Sequence, residues 1–316
     1  MKRLLLICVL LAACGAPGCA LFAPDQETLQ SVRIIAHRGA ASLAPENTMA
    51  AFARACAAGA HMFEIDVHLS ADGVPVVIHD DTLERTTDIE NYYREWGLQG
   101  KVYVSSLPLS SLKILDAGTW WVKGDPFKTI ASGAVTIDEA RSYRGEPIPT
   151  LDEVLRLVDA SGVGVNVEIK QIPRFYDGIA EKVVAAIQRM EKKNLVLVSS
   201  FDNEICRRVK ELDSDIAVGP LCGERIADPG RYVSDVVGGE AYHVARSALG
   251  CSDGRPLAEP LVNARDIESA HDHGVAVNVW TVNDRATMVR LIEAGVDGII
   301  TDYPQVLAEV VALIKR

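Results

Sequence analysis

Long hydrophobic runs are scarce in this sequence: the N-terminal one, residues 4–13, has ten residues, where a permanent membrane helix needs about 20. Positive charge is scarce too. Lys and Arg number 32 against 43 Asp and Glu, a formal −11, so polyanionic nucleic acid is repelled by the whole-chain field. Cysteine is sparse; seven in 316 residues are too few for a disulfide scaffold, and no Cys/His cluster has zinc spacing. No internal repeat is visible. With 48% hydrophobic and 24% charged residues, disordered, collagen-like and coiled-coil classes fall away. What remains is a globular chain long enough for one large domain or two of average size, and an α/β barrel alone can consume most of it.

The short N-terminal run has its own meaning. Lys2 and Arg3 precede it, as the charged and apolar regions of a secretory signal do. It ends in Leu11-Ala12-Ala13-Cys14, which resembles the bacterial lipoprotein signal, with Cys14 the lipidated residue of the mature chain. Cys19 fits less well, because Ala16 stands where that signal has a large aliphatic residue. The expected organisation is a signal peptide at 1–13, a lipidated N-terminus and tether at 14–31, and a body at 32–316. Loss of Lys2 and Arg3 with the signal would take the formal charge from −11 to −13. Export permits a disulfide, and Cys222 with Cys251 is the pair expected first, although spacing does not fix pairing.

Along the body, short β-branched runs alternate with amphipathic stretches. Met49, Phe52, Ala53 and Cys56 repeat at helical spacing. Strands are expected at 32–36, 62–69, 74–79, 164–169, 195–199, 216–220, 275–280 and 298–301. Eight strands with helices between most of them predict a closed parallel (β/α)₈ TIM barrel. The link at Ser70-Ala71-Asp72-Gly73 is too short for a parallel crossover, so it reads as a hairpin. A two-residue Asp-Gly turn there would set Asp66 opposite His79. Residues 82–150 are too long for a barrel loop and hold three of the four tryptophans. They read as an insertion module after the third strand.

Several apolar strands end on ionisable groups, at the rim where barrel enzymes work. Glu64 and Asp66 alternate with Ile65 and Val67, so both carboxylates share one strand face. Such carboxylates repel unless a cation lies between them. With Glu168 they form an all-oxygen set suited to Ca²⁺ or Mg²⁺. His37 and His79 are candidate acid and base. Arg38 suits bidentate phosphate recognition, and Lys170 adds a point charge or serves as counter-ion to Glu168. Asn47 either joins this site or caps the next helix. Metal, cations and paired histidines point to transfer at phosphorus.

His37-Arg38-Gly39 with Pro45-Glu46-Asn47-Thr48, Glu64 through His79-Asp80, and Thr82-Leu83 with Arg85-Thr86-Thr87 closely resemble the glycerophosphodiester phosphodiesterases. Glu168-Ile169-Lys170, Trp280-Thr281-Val282-Asn283 and Thr301-Asp302-Tyr303-Pro304 extend the resemblance to most of the chain. It implies a modified TIM barrel with an insertion after the third strand, and hydrolysis of glycerophosphodiesters to glycerol 3-phosphate and an alcohol. It also implies Glu64, Asp66 and Glu168 as ligands of one divalent cation, and His37 and His79 as acid/base pair. Arg38, Lys170, Trp280 and Asn47 would then touch substrate, with Trp280 against the glycerol. Two other readings stay open: hydrolysis of lysophospholipids at a longer apolar pocket, and a non-catalytic envelope lipoprotein that binds phosphodiesters. The expected location is the periplasmic side of the outer membrane.

Overall fold

The computed structural model describes residues 32–251 and 263–315; Cys14 and the tether lie outside them. Nine strands form one sheet: β1 (Arg33–Ala36), β2 (Met62–Leu69), β3 (Pro75–Val77), β4 (Gly164–Ile169), β5 (Val196–Ser200), β6 (Ala217–Cys222), β7 (Ala241–Ala245), β8 (Ala276–Trp280) and β9 (Gly298–Thr301). Eight of them, all but β3, run parallel in the order β1-β9-β8-β7-β6-β5-β4-β2, and the pairing of β1 with β2 closes the barrel. Strands buried on both faces need near-continuous apolar sequence; β2, β4 and β5 are buried at every position.

The helices supply one apolar stripe each. Leu151–Ser161 buries Leu151, Val154, Leu155 and Val158, and Thr150 with Glu153 forms a capping box at its start. Each such buried side chain contributes about 1.5–3 kcal/mol, and the cap about 1 kcal/mol more. Gly162, at φ +73°, ends the helix in the left-handed region that glycine enters without strain.

The eight-strand barrel is as expected, but its membership differs in two compensating ways. The expected third strand is β3, an antiparallel partner of β2 that stands outside the parallel barrel. The missing member is β7, Ala241–Ala245. Its alanines and His243 carry too little apolar weight to read as a strand. His243 points inward nonetheless, where Gly219 leaves room: a Cβ there would stand 2.8 Å from the imidazole Nε2.

The hairpin also forms, with its register one residue off. Val67 pairs Val77 and Leu69 pairs Pro75, so the turn is the three residues Ala71-Asp72-Gly73, with Gly73 at φ +76°. Ser70 both accepts from Val74 N through its hydroxyl (2.9 Å) and donates to Asp72 (2.6 Å), which widens the turn. Ile78 therefore stands opposite Asp66, and its N–H donates to the Asp66 carbonyl at 3.0 Å. His79 reaches the rim beyond the strand end.

Residues 82–150, expected as an insertion module, form short helical turns and helices between β3 and β4. Leu83, Ile89, Val102, Val104, Leu112 and Ile148 form a core cluster shared with Val76 and Ile78 beside β3, with Tyr92, Tyr93 and Trp96 against it. Trp121 and Tyr143 pack instead into the barrel core, and the Trp121 indole donates to the Ala41 carbonyl at 3.0 Å. The module is thus pinned to the loop after β1. The expected Cys222–Cys251 disulfide is not formed: Cys222, like Cys56 and Cys206, is a free thiol. Cys222 sits against Cys206, whose thiol is pushed up by burial first and, more weakly, by Cys222. Among the described residues no helix is long and apolar enough to cross a membrane.

Candidate active site

Alternation along β2 aims Glu64 and Asp66 into the barrel, and the β2–β4 register sets Glu168 beside Asp66. One oxygen from each of these three lies within 4.8 Å of the others. All three are buried, Asp66 at 1% exposure. Burial, then the charges of Asp66 and Glu168, push the Glu64 carboxyl well above its ordinary range. Burial raises Glu168 as well, against the pull of Lys170. Asp66 goes the other way: burial opposes ionisation, but Lys170, His79 and Arg38 together hold it well below.

Two features show what the triad lacks. Glu64 Oε2 accepts the Arg38 N–H at 2.7 Å, whereas Oε1 is buried with no hydrogen-bond partner. An orphaned carboxylate oxygen costs several kcal/mol unless something meets it. Three converging carboxylates and an orphaned oxygen fit a hard divalent cation. The donor set excludes soft thiophilic metals and leaves the ion otherwise open.

The cations are built in by charge and backbone together. Lys170 reaches Asp66 at 2.8 Å and Glu168 at 2.5 Å, and burial notwithstanding its ammonium is held charged by both. Arg38 adopts φ +53°, a left-handed conformation that costs a non-glycine residue about 1–2 kcal/mol. Its bond to Glu64 holds it there, and its guanidinium donates to Glu46 at 2.8 Å. Asn47, at φ +56°, is left-handed too. It does not cap the helix Met49–Ala57; Thr48 does, accepting from Ala51 N. The Asn47 amide donates to Asp66 at 2.7 Å and accepts its N–H at 3.2 Å. It thus supports Asp66, and like Asp66 it stands behind the cavity wall.

Each histidine stands on a carboxylate. His37 Nδ1 meets Asp302 at 2.7 Å, and Asn283 donates to the other Asp302 oxygen at 2.6 Å. His79 Nδ1 meets Asp80 at 2.6 Å. An Nδ1 held this way leaves Nε2 free toward the cavity. Beneath His79 the buried His68 bonds to its carbonyl at 3.0 Å and to Tyr176 at 2.8 Å. Burial lowers the His68 imidazole to about 4, so it is a neutral prop.

His37, Arg38, Glu64, His79, Glu168, Lys170 and Trp280 line one cavity of about 190 Å³, walled also by Asn166, Phe201 and Leu221. Phe201 meets Trp280 edge to face at 5.4 Å, and the Trp280 indole donates to the His243 carbonyl at 3.0 Å. Of the residues expected to touch substrate, only Asn47 stays behind the wall. Sequence reading missed the supports: Asp302, Asp80, Glu46, Asn283 and Arg85. Asp80 and Asp302 were visible as charged strand ends, and Glu46 and Arg85 lie inside the recurring motifs.

Residues 37–306 match the model of the glycerophosphoryl diester phosphodiesterase family. The chain belongs to this family. A glycerophosphodiester phosphodiesterase of Caldanaerobacter subterraneus is 34% identical over 278 residues, covering 88% of this chain and 97% of the relative. One from Bacillus subtilis is 28% identical over 92% of this chain and 88% of its own length. Among solved structures, an Oleispira antarctica phosphodiesterase in complex with the product sn-glycerol-3-phosphate is 28% identical, with a TM-score of 0.69 over 89% of this chain and 97% of that one.

Proposed function

We propose that the protein hydrolyses glycerophosphodiesters, releasing glycerol 3-phosphate and an alcohol. The observation that carries this is a single cavity lined by Glu64 and Glu168 of the carboxylate triad, two cations and two carboxylate-backed histidines, with Asp66 directly behind. Lys170 and Arg38 bind the phosphoryl oxygens, Lys170 as a point charge and Arg38 as a fork. One imidazole takes the proton of the attacking hydroxyl, either that of water or that of the substrate's own glycerol, the latter giving a cyclic phosphate that water then opens to glycerol 3-phosphate. The other gives a proton to the departing alcohol oxygen as its bond to phosphorus breaks. The Glu64, Asp66 and Glu168 carboxylates would hold Ca²⁺ or Mg²⁺, which supplies Lewis-acid polarisation of the phosphoryl group. Trp280 packs against the glycerol carbons.

Glycerophosphocholine turnover, followed by glycerol 3-phosphate release, tests this. Chelation abolishes the activity, Ca²⁺ or Mg²⁺ restores it, and His37→Ala and Glu64→Ala each remove it. Full metal-dependent activity in either variant overturns the roles.

A second reading, hydrolysis of lysophospholipids, is favoured by apolar side chains near the site. Phe201 lines the cavity at 44% exposure, and Phe175 and Ile172, just after Lys170, are 74% and 53% exposed. Faster turnover of lysophosphatidylcholine than of glycerophosphocholine would make it the main activity. A lipid on Cys14 would anchor the enzyme in the envelope, each buried methylene adding about 0.8 kcal/mol. Release of a Cys14→Ala variant from membranes checks that anchor.

A further inference from the structure

Arg85 belongs to the insertion module, outside the barrel, yet it makes four hydrogen bonds to two carboxylates that serve the site. Its Nε and Nη2 donate to Asp80 at 2.7 and 2.9 Å. Its Nη1 and Nη2 donate to Glu46 at 3.0 and 2.8 Å. Asp80 in turn holds His79, and Glu46 holds Arg38. The result is one alternating chain, His79–Asp80–Arg85–Glu46–Arg38, that begins on a histidine of the cavity and ends on an arginine of it. Trp120 of the same module lies under the Arg85 guanidinium, 6.0 Å from ring centroid to charge.

We infer that Arg85 is a positioning residue: through Asp80 it orients His79 and through Glu46 it holds Arg38, so that the insertion module sets the geometry on both sides of the reacting phosphate. A planar guanidinium is the one side chain that meets two carboxylates with two bonds each. Lysine, a single point charge, can serve one of them. Without Arg85, Asp80 and Glu46 lie close together with no cation between them, and repulsion parts them, swinging His79 and Arg38 from a common target. Burial opposes the charge on Arg85, but the two carboxylates more than offset that, so it stays charged at every working pH.

This rests on the proposed role of His79, and the test separates the two. Wild-type enzyme must first turn over glycerophosphocholine with metal; failure there sinks the function, not this inference. Arg85→Ala and Arg85→Lys are then compared at matched thermal midpoints. Loss of an outer partner costs about 10–100-fold, expected here in kcat for both variants, with KM raised as well through Arg38. Added guanidinium ion restores part of the Arg85→Ala rate and none of the Arg85→Lys rate. In an Asp80→Asn background, Arg85→Ala costs much less than it does alone, because the shared path is already cut. Full activity of Arg85→Lys, or equal cost in both backgrounds, overturns the inference. Should Arg85→Ala not fold, the lysine variant with and without Asp80→Asn decides it alone.

Discussion

Replacing Asp302 by Asn should inactivate the enzyme without unfolding it. The two side chains have the same shape, so packing is kept and only charge and proton placement change. The orientation of the new amide follows from its neighbour. Asn283 Oδ1 accepts the N–H of residue 302 at 3.0 Å and the Thr301 hydroxyl at 3.2 Å, which fixes Asn283 Nδ2 as donor toward the outer oxygen of residue 302. The oxygen of the new amide must take that outer place, and its NH₂ then faces His37 Nδ1. His37 is forced to accept at Nδ1 and carry its proton on Nε2, the tautomer that cannot take a proton at the cavity. At Asp302 itself, burial opposes ionisation but the His37 hydrogen bond and charge prevail, holding the carboxyl below its ordinary range. Losing a charge-assisted bond costs about 1.5–3 kcal/mol, or roughly 10- to 150-fold in rate at about 1.4 kcal/mol per tenfold. The wrong tautomer adds to that; the like change in a Ser-His-Asp triad costs about 10⁴. The expected kcat loss thus lies between about 10² and 10⁴, with the protein still folded and its metal affinity unchanged. A variant within about twofold of wild type would show that Asp302 does not set the His37 proton, and the dyad reading would fall.

Two further outcomes follow from the buried charges. Lys170→Met leaves Asp66 and Glu168 without their nearest cation, so the metal-free protein should lose about 3–5 kcal/mol in urea unfolding, and less when saturated with Ca²⁺ or Mg²⁺; an equal loss in both states refutes the shared site. Burial lowers His243 from 6.5 to about 3, so between those values the unfolded chain binds the extra proton and stability falls as the pH falls. Between pH 8 and pH 5 this amounts to about 2 kcal/mol. His243→Gln keeps an acceptor for Asn278, which contacts it at 3.0 Å, and should flatten the acid limb of the stability curve by that amount; an unchanged limb would show His243 to be charged when folded.

Where the pattern was local, the sequence could be read directly. The alternation of Glu64 and Asp66 needs only the period of a strand, and β2 obeys it over all eight residues. The hairpin was legible as a hairpin, but its register turned on the Ser70 hydroxyl, a contact that residue types do not announce. β7 was not legible because its burial is decided by partners: a five-residue strand of Ala, Tyr, His and Val becomes core only once Gly219 and Asn278 make room for and bind His243. The supports were hidden for a related reason. Arg85 sits 39 positions from Glu46, and nothing in either residue signals that the insertion folds back to join them. Cys222 and Cys251 looked like a pair by export and number alone, but Cys222 is buried against Cys206 instead.

The charge of the site decides how an anion enters it. On the sequence alone Arg38 and Lys170, together with the expected metal, form a small positive island in an acidic protein. The structure brings six carboxylates to the same place, Glu46, Glu64, Asp66, Asp80, Glu168 and Asp302, against three permanent cations, Arg38, Arg85 and Lys170. Formally the cluster carries an excess of three negative charges. A phosphodiester monoanion would be repelled from it, and screening inside a buried cavity is weak. Burial and the charges of Asp66 and Glu168 push the Glu64 carboxyl above its ordinary range, as such an excess requires. A divalent cation among the triad reduces the excess to one. Imidazolium formation at either carboxylate-backed histidine would then bring the site to neutrality. Binding of substrate and binding of metal are therefore coupled, and glycerol 3-phosphate should bind the metal-free protein far more weakly than the loaded one. Calorimetric titration with and without chelator measures this, and equal affinity in the two states would break the coupling.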